Sequence, residues 1–173
     1  GLADRILGQD RRPPHAEVRL DRADEDARID VGPAVVVGDA VTAGAGRDAG
    51  SAASPAVLES GSGRLLVFAF GMKSAGVPPD WAAAPARPGV SFLAGLSSQA
   101  TDALAERILR EKRAGDLAIV SLHWGANWGY EVSHRQRSFA RRLIDAGAAD
   151  VVHGHSAHHP GAIEIYRDRL ILY

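Results

Sequence analysis

The chain has 173 residues, a formal net charge of −1 and no cysteine. That length suits one ordinary domain with a core of its own, and the balanced charge gives no general pull toward nucleic acid or an acidic membrane surface. A disulfide framework and a thiolate metal site are excluded. No apolar run approaches the ~20 residues that span a bilayer, and no secretory leader is recognised.

Residues 1–34 are rich in Arg, Asp and Pro and hold no helical or alternating period. They read as a solvated or disordered segment, with a short helix over 1–7 as the one local expectation. Residues 34–63 are dominated by Gly, Ala and Ser and suit loops with a turn of helix. Order begins at Arg64, where the continuous apolar run 65–70 predicts a buried strand. Residues 71–96, with four prolines, read as a long irregular loop. Ser97 or Ser98 can then cap a helix over roughly 99–114, with Leu104, Ile108 and Ala100 forming its apolar stripe.

A second buried strand is expected over 116–122 and a helix over about 134–146, with Phe139, Leu143 and Ile144 on one face and Gly147 as its stop. Val151 and Val152 give a short third strand. Residues 162–166 and 170–173 read as a hairpin about the turn Arg167-Asp168. Alternation of this kind predicts an α/β fold with a mainly parallel sheet covered by helices, and such sheets gather ligands beyond the carboxyl ends of their strands. Because the sequence starts at Gly1 and stops inside a strand-like run, it is read as a fragment.

Four of the seven histidines fall within 153–159, HGHSAHH, and His123 stands at the end of the neighbouring strand. Neutral imidazole is a common ligand for zinc, manganese, iron and nickel, and His155 and His158 can direct two rings toward one centre that His123 completes. His153 is still in strand phase and either faces the core or supports the site. His159 precedes Pro160 and either shapes the turn or supports the site. Trp124, Asn127, Trp128 and Tyr130 crowd the loop after His123; they either wall a substrate pocket, offering a sugar or peptide a flat face, or pack the loop onto the sheet. Asn127 and Glu131 are alternatively partners that orient a ligand histidine.

Three stretches carry a resemblance: HWGANWGYE from His123, QRSFARRLIDAGA from Gln136, and DVVHGHSAHHP from Asp150. Together with the turn Gly44-Ala-Gly-Arg-Asp48, they resemble the CapA family of poly-γ-glutamate capsule biosynthesis proteins, relatives of the calcineurin-like metallophosphoesterases. The resemblance covers residues 42–173 and leaves 1–41 as a separate, unmatched segment. It implies a metallophosphatase-like fold of mixed β-sheets flanked by helices, here incomplete at both ends. It also implies a site for two divalent metals, with manganese, iron or zinc suitable and His123, His155 and His158 as the ligands present.

The family's Asn-Leu-Glu and Asn-Asn-His stretches do not occur here, and the apolar run 35–39 ending in Gly-Asp only superficially resembles its strand-Gly-Asp ligand. The function implied for the full-length protein is capsule polymer synthesis or export; a metal-dependent hydrolase, with a phosphoester or an anionic polymer as substrate, is the reading taken for it, although the motifs themselves do not imply hydrolysis. A non-catalytic module that binds an anionic polymer, or an inactive fragment, is the alternative. Other capsule-synthesis proteins are the expected partners, and oligomeric state and cellular location are left open.

Overall fold

The computed structural model describes residues 41–60 and 63–173. The expected polar segment with its short helix, and the apolar run 35–39, lie outside the described residues. The elements in chain order are β1 (Ala45–Gly46), α1 (Ala49–Ala53), β2 (Ala56–Ser60), β3 (Gly63–Gly71), β4 (Gly89–Val90), α2 (Ser98–Glu111), β5 (Leu117–His123), α3 (His134–Asp145), β6 (Val151–His155), β7 (Ile163–Tyr166) and β8 (Arg169–Leu172). Six strands form one mixed sheet in the order β2-β3-β5-β6-β8-β7, and β1 pairs with β4 as a small ribbon. Strands β3, β5, β6 and β8 run parallel, while β2 and β7 lie antiparallel at the edges.

The crossovers from β3 to β5 and from β5 to β6 step the same way along the sheet. Right-handed connections therefore put α2 and α3 on the same face, where they pack on each other. Both helices are amphipathic. Leu104 and Ile108 of α2, with Phe139 and Leu143 of α3, meet Leu66, Phe68, Val120, Leu122, Val152 and Ile171 in one core. Capping follows the sequence signals. Ser97 Oγ accepts from the Ala100 N–H at 3.2 Å, Ser133 and Gln136 cap α3 reciprocally, and Gly147 turns the chain at φ 71°.

The α/β architecture, a mixed sheet flanked by helices, agrees with the expected metallophosphatase-like fold. Several boundaries differ from expectation for local reasons. Helix α2 stops at Glu111 because Lys112 turns extended and its Nζ donates to Asp150 at 2.6 Å and to the Gly147 carbonyl at 3.1 Å. Thr101 and Ala105 are buried with Leu104 and Ile108, whereas Ala100 is only half-buried. Residues 34–63 contain the expected helical turn as α1, but they also supply β2, zipped onto β3. The loop 71–96 holds two short 3-10 turns and β4. Strand β6 runs on to His155 because its pairing with β5 continues that far.

Alternation along the strands gives the sheet a second face, away from the helices. Leu65, Val67, Ile119, Val151, Leu170 and Leu172 lie there half-buried, while Ile163 and Ile165 on edge strand β7 are 69% and 68% exposed. No helix among the described residues is long and apolar enough to cross a membrane.

Two interactions fix the ends of the sheet. At its amino-terminal end the buried Asp116 accepts from Arg64 Nε at 3.0 Å and from the Arg113 N–H at 2.7 Å. The Arg64 guanidinium, and then the Arg113 amide, hold this carboxyl down at about 2. At the carboxyl end Trp124 is 3% exposed, stacked on Tyr173 with centroids 6.3 Å apart and set edge-on to Phe139 at 6.1 Å. Its Nε1 would lie 2.3 Å from a Cβ placed on Gly154, with the Tyr173 carbonyl carbon at 2.8 Å, so only glycine fits beneath the indole.

A carboxyl depressed in the folded state stabilises the fold above its unfolded pKa and ceases to do so as pH falls through the folded value. Stability from the Arg64–Asp116 pair should therefore be complete above about pH 4 and disappear toward pH 2. In urea unfolding followed by circular dichroism at stepped pH, Asp116→Asn should be less stable than wild type at pH 7 and should flatten the dependence below pH 4; an unchanged acid limb refutes the assignment. Gly154→Ala should cost about 1–3 kcal/mol and alter the near-ultraviolet tryptophan signal, as overpacking requires. A variant with wild-type stability and spectrum would show that the indole is not confined there.

Candidate functional site

Two loops meet at the carboxyl edge of the sheet, one following β5 and one following β6. Main-chain bonds zip them together: the Trp124 N–H donates to the His155 carbonyl at 3.1 Å and the His158 N–H to the Asn127 carbonyl at 3.0 Å. The Gly125 N–H is held by Ser74 Oγ at 3.1 Å, so the irregular 71–96 segment also braces the site. Just past β6, Ser156 adopts φ 128°, a conformation that costs a non-glycine residue about 1–3 kcal/mol and is retained where the surroundings over-determine it.

In-register pairing puts His123 opposite His155 and Ser121 opposite His153. The Nδ1 atoms of His123 and His155 are 3.1 Å apart, with ring centroids at 5.0 Å. The His153 ring lies 5.5 Å from that of His155, and its Nδ1 is 3.3 Å from Ser121 Oγ. All three project from the face opposite the helices, so His153 does not face the helix-covered core; strand parity aligns it with Ser121 and Leu172 instead. Burial first, and the neighbouring His123 and His153 second, push the His155 pKa down, favouring the neutral ring that serves as a metal ligand.

A pair of imidazole nitrogens at this separation shares either one proton or one cation. Two nitrogens bound tetrahedrally at zinc–nitrogen distances stand about 3.3 Å from each other, so the separation matches that of two ligands of a common divalent ion. His158 is placed differently: its ring packs against Trp128 at 5.2 Å. Among the described residues no group of three or more His, Cys, Asp or Glu is gathered as a metal-holding set.

The aromatic residues of the first loop border a cavity of about 320 Å³ that also touches His155. Trp124 lies in the core beneath it, while Trp128 and Tyr130 stand 70% and 77% exposed at its rim. His159 packs on Tyr130 at 4.3 Å and on Trp128 at 6.5 Å, and its Nδ1 donates to the Pro160 carbonyl at 3.0 Å. Glu131 lines this cavity instead of touching the histidine pair, and Asn127 serves through its backbone carbonyl. Gln136 and Tyr173 also line it. Sequence reasoning passed over both, although Gln136, three residues after Ser133, carries a capping-box signal. Tyr173 donates to Glu164 Oε2 at 2.8 Å, and burial together with that carboxylate pushes its phenol up to about 12.

Comparison with known proteins identifies the family. The family model described as bacterial capsule synthesis protein PGA_cap matches residues 39–173. A probable polyglutamine synthesis accessory protein of Mycobacterium tuberculosis (strain ATCC 25618 / H37Rv) is 48% identical over 132 residues, 75% of this chain and 34% of the relative. The PGA biosynthesis protein CapA of Bacillus subtilis (strain 168) is 38% identical over 66 residues, 38% of this chain and 17% of the relative. The capsule biosynthesis protein CapA of Bacillus anthracis is 32% identical over 83 residues, 46% of this chain and 20% of the relative. The chain thus spans about a third of the length of its mycobacterial relative. With the family model covering both histidine loops and the whole six-stranded sheet, the chain belongs to the bacterial capsule synthesis (CapA, PGA_cap) family.

Proposed function

We propose that this chain is the histidine-bearing part of a metal-dependent hydrolase that acts on a phosphoester or an anionic polymer during capsule polymer synthesis or export. The observation that carries the reading is the 3.1 Å approach of His123 Nδ1 to His155 Nδ1 at the carboxyl edge of the sheet. His123 and His155 would hold the ion, and His158, tied by its backbone to the first loop, is the third ligand proposed. His153, its Nδ1 against Ser121 Oγ, supports the ring of His155 from the next position along β6. A divalent metal bound there, with manganese, iron or zinc suited to imidazole, supplies Lewis-acid polarisation of a phosphoryl oxygen. The family resemblance supports a second ion in the full-length site. Trp124, Asn127 and Trp128 belong to the substrate side, where the aromatic cavity adjoins His155.

The open face of the sheet supports the same reading. Apolar side chains on four strands, β3, β5, β6 and β8, lie half-buried there, and the mycobacterial relative extends well beyond the matched region. In the full-length protein we propose that a second sheet covers this face and brings the remaining ligands.

A second reading, a non-catalytic accessory module that works with other capsule-synthesis proteins, is favoured by the mycobacterial relative, which is described as an accessory protein. Two measurements on the full-length protein separate them. His155→Ala should lower bound manganese or zinc at least about tenfold, the loss expected when a ligand goes, as read by elemental analysis after dialysis. Unchanged metal content removes the ligand assignment. Manganese-dependent turnover of a chromogenic phosphodiester by wild type, abolished in the same variant, supports the hydrolase. Retained binding of an anionic polymer without any turnover gives the accessory reading instead.

A further inference from the structure

Trp124, Trp128, Tyr130 and Tyr173 border the cavity beside the histidine pair together with one carboxylate, that of Glu131. Trp124, stacked on Tyr173, belongs to the core, while Trp128 and Tyr130 stand at the rim. The rim rings are held in place. Trp128 packs on His158 with centroids 5.2 Å apart and Tyr130 on His159 at 4.3 Å, and Gly129 turns the backbone between them at φ 105°. Yet both keep most of their surface open, at 70% and 77% exposure. Large rings fixed on one side and bare on the other leave π faces for something outside the fold.

The charge on the lining points one way. No Lys or Arg borders the cavity, and among the described residues the Glu131 side chain has neither an ion pair nor a hydrogen bond. An anionic group would meet this carboxylate with no cation to balance it. A cation gains the carboxylate and the rings together, because the face of an indole or a phenol attracts positive charge. Hydrogen bonding narrows the kind of cation. A primary ammonium has three N–H donors to satisfy, but the Gln136 side-chain oxygen already accepts from the Ser133 N–H at 3.1 Å and from the Ser133 hydroxyl at 2.9 Å. A fully methylated ammonium has no N–H to satisfy and lays its C–H groups on aromatic faces. The cavity, about 320 Å³, has room for such a group.

We propose that this cavity is a binding subsite for a quaternary ammonium group. Trp128 and Tyr130 cover its methyl groups by cation–π contact, and Glu131 supplies the opposite charge. His155 borders the cavity and also faces His123, so the cation sits beside the histidine pair. The subsite takes a different part of a ligand from the anionic group assigned to that pair. It requires neither metal nor turnover, so its test is independent of the hydrolase reading.

Choline is the probe, titrated against the 173-residue chain in metal-free buffer at constant ionic strength and read by tryptophan fluorescence and saturation-transfer NMR. Two comparison ligands accompany it: neohexyl alcohol, in which carbon replaces the charged nitrogen of choline, and butylammonium, a primary amine. Choline should saturate with Kd of about 1 mM, and neohexyl alcohol should bind at least about tenfold more weakly. Trp128→Ala, at a surface position, should weaken choline at least about tenfold with an unchanged circular dichroism spectrum. Glu131→Gln should weaken choline as well and flatten the dependence of its binding on salt. If Trp128→Ala fails to fold, Glu131→Gln decides in its place. The proposal is overturned if choline does not saturate, if neohexyl alcohol or butylammonium binds as tightly as choline, or if the deciding variant binds choline as well as wild type.

Discussion

Parallel pairing of β5 with β6 sets the whole carboxyl edge, because it decides which side chains stand opposite each other when the two strands end. With Ile119 against Val151, His123 falls against His155 and Ser121 against His153. A slip of one residue would turn the histidines of one strand to the helix side and separate the 3.1 Å nitrogen pair. The register is held at both ends. At the start of the strands Asp150 accepts the Ala118 N–H at 2.9 Å while paired with Lys112 and Arg169, and beyond their ends the Trp124 N–H reaches the His155 carbonyl. The ion pairs at Asp150 therefore act on the site by fixing alignment, about five residues away from it along each strand.

Strand parity then divides the edge into two environments. His123, His153 and His155 leave the sheet on its open face, whereas Leu122 and Trp124 leave it toward the helices. The indole completes the core by stacking on Tyr173 and meeting Phe139, and the absence of a side chain at Gly154 lets it lie so close to β6. Core packing and the cavity floor are thus the same residue. His155, last on its strand, borders the cavity as well as the histidine pair and joins the two environments.

Much of this was legible in the sequence wherever burial left an unbroken signal. Strands β3 and β5 are buried along their helix-facing sides and half-buried behind, and they read as continuous apolar runs; α2 and α3 showed their stripes, caps and the Gly147 stop. Strand β2 was not legible, although it forms a local hairpin with β3, because only Val57 and Leu58 carry apolar bulk in a stretch dominated by Gly, Ala and Ser. The histidine cluster stood out by composition. Which members approach each other did not: His158 follows a strained turn at Ser156, and no spacing rule predicts that its ring rests on Trp128. Likewise the sequence left Trp124 open between core and pocket, and the structure gives it both roles, buried in the core while bordering the cavity.

The open face and the histidine pair impose demands on the same side of the sheet. Half-buried Leu65, Val67, Ile119, Val151, Leu170 and Leu172 call for an apolar cover. Two neutral imidazoles make a weak site for a hard divalent ion, which prefers oxygen donors, and among the described residues no carboxylate joins the pair. Neither demand can be met from the helix side, where the core is closed by Phe139, Leu143 and Ile108. A second layer on the open face, as proposed, would meet both together. Its inward apolar residues would cover the leucines and valines, and its own strand ends would arrive beside His123 and His155 carrying oxygen ligands. Metal binding and burial of that face would then be one cooperative event, with the ion acting as a clasp between the layers.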